Sequence, residues 1–527
     1  MVALVSGCGG PSSEAKKPTQ QVAAPADGEV PAQAQEPAAN ITPQDAPDSL
    51  LCMMVATHPV GQLRSLAELV DAVQPGAGAA VEVGMIFEQI TSDWGGLPAA
   101  AFDLEKPLYL LMLDPQASSP MVLVAAVADR EAIAAALPET ATMRVHRGYA
   151  AIGAPQVIDE VAGYALTRLH DEPLPPALTF VLRLEQIMKR YGDAFTASLG
   201  MISASMPDPS GQKLVEAYVS LLQAMMQQSR SMRIALEPGA AGLTVHMVLD
   251  ALPDTTMAAF AQAQSPSDYA LVRETATGQD DFFMGGRLDY TTIPHVFDQL
   301  WAAMLAATPD QSATTAALND SMRRWLDLFR DEFAMSGRYD DKERASMRLR
   351  ARIDDAAKAQ ALVKEWYELI KRTPAAFKYR KPRVQTVRVQ GTQVQVLTAE
   401  FAGATPEEQE LMEKIYGPKL VSATAVTQDR VSMTIGQNAQ RDIREVMAAK
   451  PAADEHPAVA DARARGESMM VYIDLANLMA RILGKGTPAR TPAGVTMGLG
   501  FEEATMRWRI TVPTPQIHGI MAVSQTP

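Results

Sequence analysis

Cysteine is almost absent from this 527-residue chain: only Cys8 and Cys52 occur, too few for a disulfide framework or a zinc site built on thiolates. Histidine is scarce as well. His58, His146, His170, His246, His295, His456 and His518 are scattered, with no i, i+4 pair to set two imidazoles on one metal. His295 with Asp298 reads as a surface pair on a helix. A basic surplus is missing, because 47 Lys and Arg face 61 Asp and Glu for a net charge of −14. Nucleic acid is therefore excluded as a partner, since its phosphates call for a concentrated basic surface. Beyond the N-terminus no run reaches the ~18 apolar residues that a bilayer-spanning helix needs.

Familiar catalytic spacings are lacking too. There is no Gly-x-Ser-x-Gly elbow and no Ser-x-x-Lys accompanied by its partner motifs. Neither a Gly-x-x-x-x-Gly-Lys-Ser/Thr loop nor a Gly-x-Gly-x-x-Gly turn after a strand is present to hold phosphates. Pro75-Gly76-Ala77-Gly78 reads as a helix stop and turn. The acidic pairs Asp280-Asp281, Asp340-Asp341 and Glu502-Glu503 are sequence neighbours, so on a strand they point to opposite faces instead of converging on one bond. No catalytic, cofactor or metal residue is assigned, and the body is expected not to be an enzyme.

What the chain does have is apolar material, 47% of its residues, enough for two or three ordinary cores. Methionine is abundant at 29 residues. Met225 and Met226 share a helix-spaced face with Leu214, Val215, Tyr218, Leu221 and Leu222, which predicts core filling by flexible thioethers rather than a copper site. Cys52 lies in the apolar run from Leu50 to Val55 and is expected to be a buried structural thiol.

Residues 9–47 carry seven prolines among Ala, Gln, Ser and acidic residues. Such a composition cannot bury a core, so a disordered linker is predicted, spanning roughly 35 Å root-mean-square if flexible. Immediately before it, Val5-Ser6-Gly7-Cys8 resembles the lipobox of bacterial lipoprotein precursors. The resemblance implies that Cys8 carries lipid and holds the mature protein to a membrane of the bacterial cell envelope. With Gly9 rather than Asp after the cysteine, it implies the outer membrane, facing the periplasm or the cell surface. Residues 1–8 are then the remnant of a signal peptide whose start lies upstream of Met1.

Repeats organise the rest. A short apolar strand runs into a helix at Val181 to Met188 and again at Tyr472 to Met479, with looser versions at Leu51 to Val70 and Phe282 to Met304. Paired alternating strands followed by an acidic helix cap occur at Lys106 to Val127 with Asp129, Met232 to Leu249 with Asp250 and Asp254, and Phe333 to Ile353 with Asp354. Gly494 to Val512 repeats the hairpin and is expected to lack the helix. Tyr149 to Gly153 before Ile158 matches Ser432 to Ile435 before Ile443. Asp129 and Asp354 are 225 residues apart, whereas Ile152 and Ile435 are 283 apart, which predicts a 58-residue insertion near 366–424 with a hairpin turn at Gln390-Gly391. The expectation is an α+β fold of two related halves, 48–265 and 266–525, each an antiparallel sheet with helices packed on one face.

Arg348, Arg350 and Arg352 alternate with Met347, Leu349, Ala351 and Ile353, and Arg507 and Arg509 alternate with Met506, Trp508 and Ile510. That pattern predicts strands with one wet face. The arginines read either as a solvated face that discourages edge pairing or as a face for an anionic envelope component such as a glycolipid. In overall pattern, and in the string Arg147 to Gly153 before a helix, the body resembles two-repeat exported proteins of environmental bacteria. That resemblance implies export and a duplicated α+β fold, and no activity. The expected role is a lipid-anchored binding or scaffolding module with a groove between the lobes as its ligand site and an envelope protein or glycolipid as partner. The alternative is a periplasmic carrier of an apolar ligand, and third in order comes a cell-wall hydrolase with clustered buried carboxylates.

Overall fold

Eighteen short runs rich in β-branched and large apolar residues become strands, and the computed structural model joins them in one antiparallel sheet. It describes residues 41–114, 120–171, 177–204, 215, 219, 221–289, 291, 312–340, 344–374, 379–402, 405–450, 455–482 and 493–525. In chain order the strands begin with β1 (Cys52–Ala56), β2 (Leu108–Met112), β3 (Met121–Ala126), β4 (Thr142–His146), β5 (Tyr149–Gly153) and β6 (Leu178–Leu182). The next are β7 (Ser229–Gly239), β8 (Gly242–Ala251), β9 (Phe282–Arg287), β10 (Phe329–Asp340), β11 (Arg344–Ile353) and β12 (Tyr379–Val389). The last are β13 (Thr392–Phe401), β14 (Leu420–Val426), β15 (Arg430–Ile435), β16 (Met469–Ile473), β17 (Val495–Glu502) and β18 (Thr505–Pro513).

Following the ladder from edge to edge, the spatial order is β4-β5-β3-β2-β1-β6-β7-β8, continuing as β18-β17-β16-β9-β10-β11-β15-β14-β13-β12. Residues Ile41–Pro527 form a single compact unit. Strands β8 and β18 pair over nine residues, from Thr505↔Asp250 to Pro513↔Gly242. Two otherwise open edges satisfy each other's backbone groups there.

Helices lie on both faces of the sheet, which corrects the expectation of one covered face. In β3, Val122 and Val124 pack with Tyr109, Val157 and Ile158 toward the helix Pro155–Gly163. The opposite parity, Leu123 and Ala125, packs with Phe87, Trp94 and Ile133 toward the helices Val83–Ile90 and Arg130–Ala136. A strand that is apolar on both parities must be covered twice. In β11 the apolar parity, Ala351 and Ile353, joins Leu328 and Leu362. Its polar parity is covered as well: Ser346 donates to Asp442 (3.1 Å) and Arg350 to Glu274 (2.5 Å). In β11 the alternation of Arg with apolar residues thus marks a polar interface beneath helices, not a wet face.

Helix starts follow short acceptors. Asp129 caps as expected, accepting from the Ala132 amide (3.0 Å). Elsewhere the cap moves: Asp355, not Asp354, accepts from the Lys358 amide (3.0 Å), while Asp354 pairs with Arg330. Thr255, not Asp250 or Asp254, accepts from Ala258 (3.2 Å), because Asp250 is held by Ser231 (2.6 Å) and Thr505 (3.2 Å). After β18 a helix does form, Thr514–Gln525, where none was expected. Thr514 donates to Ala240 O (2.7 Å) and the fully buried Gln516 donates to Asp474 (2.9 Å), so polar anchors specify it where helical apolar spacing is weak.

The β12–β13 hairpin turns at Gln390 (φ 50°) and Gly391 (φ 82°), both left-handed as the tightest hairpin turn requires. At the other end of the chain, Ile41 and Ala46, read as the end of the linker, pack against the core beside Tyr109, and Arg183 donates to the carbonyls of Pro47 (2.6 Å) and Leu50 (3.2 Å). Met225 and Met226 pack against the core near Leu249. Cys52 is half-buried rather than buried, and desolvation pushes its thiol up. Cys8, most of the linker, the His295 and Asp298 pair, Leu214 and Tyr218 lie outside the described residues. No helix among the described residues is long and apolar enough to cross a membrane.

Candidate functional site

A polar cavity of about 480 Å³ opens where the segment between β8 and β9 meets the ends of β9, β10 and β11. Ser267 and Asp268 come from that segment, Arg287 from β9, Asp331 and Glu332 from β10, and Arg352 from β11. The segment is firmly tied: the Ser267 amide donates to Glu467 O (3.2 Å), Ser468 to Ser265 O (2.8 Å) and the buried Tyr269 hydroxyl to Glu467 O (2.7 Å). Burial pushes the Tyr269 phenol far above its usual range.

A β-bulge builds the acidic wall. The β10–β11 register breaks between Arg330 and Phe333, and Asp331 takes a left-handed conformation (φ 57°). Neighbouring strand residues normally face opposite ways, and the bulge overrides that rule so that Asp331 and Glu332 both line the cavity. Asp331 pairs with Arg287 (3.0 Å). Glu332 is 5% exposed and accepts from the Leu271 amide (2.9 Å). Loss of hydration holds its carboxyl up at about 7, against the opposing pull of that amide.

Of the five sequence-predicted arginines, four meet different partners. Arg348 is near Glu445 (3.7 Å), Arg350 is bound to Glu274 (2.5 Å), and Arg430 of β15 reaches the same Glu274 oxygen (2.6 Å). Arg509 is buried on Glu467 through two bonds (2.9 and 3.2 Å) and also meets Asp461 (2.9 Å). Arg507 pairs with Glu502 at the surface. Only Arg352 opens into the cavity; among the described residues it has no hydrogen bond or ion pair, and its charge acts on Glu332 beside it, pulling that carboxyl down against the rise from burial. Burying a charge costs free energy unless a carboxylate meets it, which is why most of this arginine set is consumed structurally.

Sequence reasoning missed Ser267, Asp268, Arg287, Asp331 and Glu332. One signal was available: Arg330-Asp331-Glu332 interrupts apolar alternation between Phe329 and Phe333, as a bulge does. The acidic pairs it did single out go elsewhere. Asp281 accepts from the Tyr339 amide (2.6 Å), Asp280 from Thr277 (2.5 Å), and burial pushes the Asp280 carboxyl up. Two half-buried histidines serve packing and capping: His170 lies edge-on to Tyr109 and tilted against Tyr149, and His456 caps a helix by accepting from the Ala458 amide (3.2 Å). Among the described residues no group of three His, Cys, Asp or Glu side chains is placed to hold a metal ion.

No protein-family model matches the chain, and no curated protein matches it. Among solved structures, crystal form I of TP0453 is similar at 7% identity, covering 50% of this chain and 99% of that one with a TM-score of 0.21. Crystal form III of TP0453 covers 48% of this chain and 98% of its own, also at 7% identity, with a TM-score of 0.23. At these TM-scores neither likeness bears on what this chain does.

Proposed function

We propose that this chain is a non-enzymatic, lipid-anchored protein of the bacterial cell envelope whose body, built from two related halves, is a binding module with the cavity at Arg352 as its ligand site. Duplication is supported by pairing order: β4-β5-β3-β2-β1-β6-β7-β8 recurs as β14-β15-β11-β10-β9-β16-β17-β18. The amides that follow β6 and β16 repeat one contact, Arg183 to Leu51 O (2.9 Å) and Asp474 to Asp281 O (2.7 Å). Strand β8 pairs antiparallel with its own counterpart β18, as a twofold arrangement requires. The β12–β13 hairpin has no counterpart and accounts for the insertion, although both of its strands extend the sheet.

The observation that carries the binding reading is Arg352, a half-buried cation in a cavity wall with no protein anion bonded to it, while its neighbours Arg348 and Arg350 each have one. A thermal-shift screen of anions, amino acids and sugars tests it: a ligand that raises the melting temperature of the wild type and not of Arg352→Met supports the site. Failure of every ligand class to shift the wild type would count against it. Anchoring is tested in the native host, where Cys8→Ser is expected to release the protein from the membrane fraction. Retention of that variant would end the lipid-anchor reading.

A second reading is favoured by one observation. Glu332, with its carboxyl near 7, sits beside Asp331 and Asp268 in the same cavity, the combination a carboxylate hydrolase uses. Turnover of cell-wall fragments that Glu332→Gln abolishes would replace the binding module with an enzyme. An apolar-ligand carrier is less well matched by this cavity, whose wall is charged.

A further inference from the structure

The geometry points to a small zwitterion, an amino acid or short peptide carrying a free ammonium and a free carboxylate, as the ligand of the cavity at Arg352; this rests on the binding reading above. Its volume, about 480 Å³, suits a ligand of that size rather than a polymer or a folded partner. The charge distribution supplies the chemistry. On one side Arg352 offers a planar fork of donors that fits a carboxylate bidentately. A multiply charged anion is disfavoured, because Asp268, Asp331 and Glu332 line the same space. Of these, Asp331 is paired with Arg287 (3.0 Å), and Glu332 is engaged by the Leu271 amide (2.9 Å), is held largely uncharged by burial and feels Arg352 only at a distance beyond an ion pair.

Asp268 is different. Its side chain accepts a long bond from the Ala270 amide, at 3.4 Å, its charge helps to raise the Glu332 carboxyl, and it is an exposed residue of the same wall that Arg352 lines. It is therefore the carboxylate left to accept an ammonium. A ligand with opposite charges on two ends answers both Arg352 and Asp268 at once, whereas a plain anion or a plain cation meets only one of them.

Isothermal titration of the full chain with alanyl-alanine, N-acetyl-alanyl-alanine and alanyl-alanine amide tests this without altering the protein. The dipeptide is expected to bind, with each capped form weaker by about tenfold or more for the loss of one charge-assisted contact. On the protein side, Arg352→Met and Asp268→Asn are expected to erase the preference for the free carboxylate and the free ammonium respectively. Equal binding of the acetylated peptide would make this a plain anion site, overturning the inference and leaving the binding module intact. Tighter binding of phosphoethanolamine than of the dipeptide would assign the cavity to a lipid headgroup and overturn it too. No heat with any of these probes, alongside a thermal-shift response to an unrelated ligand, would overturn the zwitterion alone.

Discussion

Glu274 joins two cations: one of its oxygens receives both Arg350, 3% exposed, and Arg430. Glu274→Ala leaves two guanidinium groups facing each other without an anion and is expected to destabilise the fold by about 3–5 kcal/mol. The urea midpoint reads this, and adding Arg350→Met should recover part of the loss. Glu332 poses the opposite case. Burial raises its carboxyl from 4.5 to about 7, so the folded protein holds a proton there that the unfolded chain releases, and stability falls as pH rises through that window. Glu332→Gln keeps an acceptor for Leu271 and never ionises. It should match wild type below pH about 4.5 and exceed it by on the order of 3 kcal/mol above pH about 8. Stability curves that stay parallel across this range would contradict the buried neutral carboxyl.

At the scale of elements, the helix Ala356–Arg372 provides a direct contrast between adjacent aspartates. Asp355 caps it and Asp354 does not, so Asp355→Ala should cost about 1 kcal/mol and Asp354→Ala a few tenths at most. Thermal unfolding of the two single variants checks the order. Strand β9 shows why one glycine cannot change. Gly286 has φ 143°, and an added Cβ would lie 2.1 Å from Ser468 O and 2.7 Å from Met469 Cα, both backbone atoms of the adjoining β16 edge. Gly286→Ala must part the β9–β16 ladder, and a loss of several kcal/mol is expected, on the order of the worst core substitutions. A soluble variant with unchanged melting temperature would mean that this edge gives way freely.

For the whole molecule, the decisive feature is continuity of the ladder through β8 and β18. Separate sheets joined by a flexible segment would melt separately, whereas strands β1–β8 and β9–β18, joined by hydrogen bonds across nine paired residues, should unfold together. Coincident transitions by near-ultraviolet and far-ultraviolet circular dichroism are expected. Two resolved calorimetric peaks would mean that the shared ladder is too weak to couple them. The same continuity places the β12–β13 hairpin at one extreme of the sheet, where Pro382, Lys381 and a bulge between Arg380 and Arg383 discourage further pairing.

Much of this architecture is legible in the residues alone, because local rules write it. Strand-to-helix units at Val181 and Tyr472, the Gln390-Gly391 turn and the Asp129 cap all depend on neighbours close in sequence. Which face of β11 meets water did not follow from alternation, since a polar parity reads the same whether solvent or the Glu274 carboxylate covers it. The cavity was hidden for the same reason: Arg287, Glu332 and Arg352 come from separate strands, and a bulge of two residues aims the acidic wall. Periodicity along the chain determines the elements, while the pairing of charges across it, and hence which arginine is left for a ligand, is decided only when the sheet is assembled.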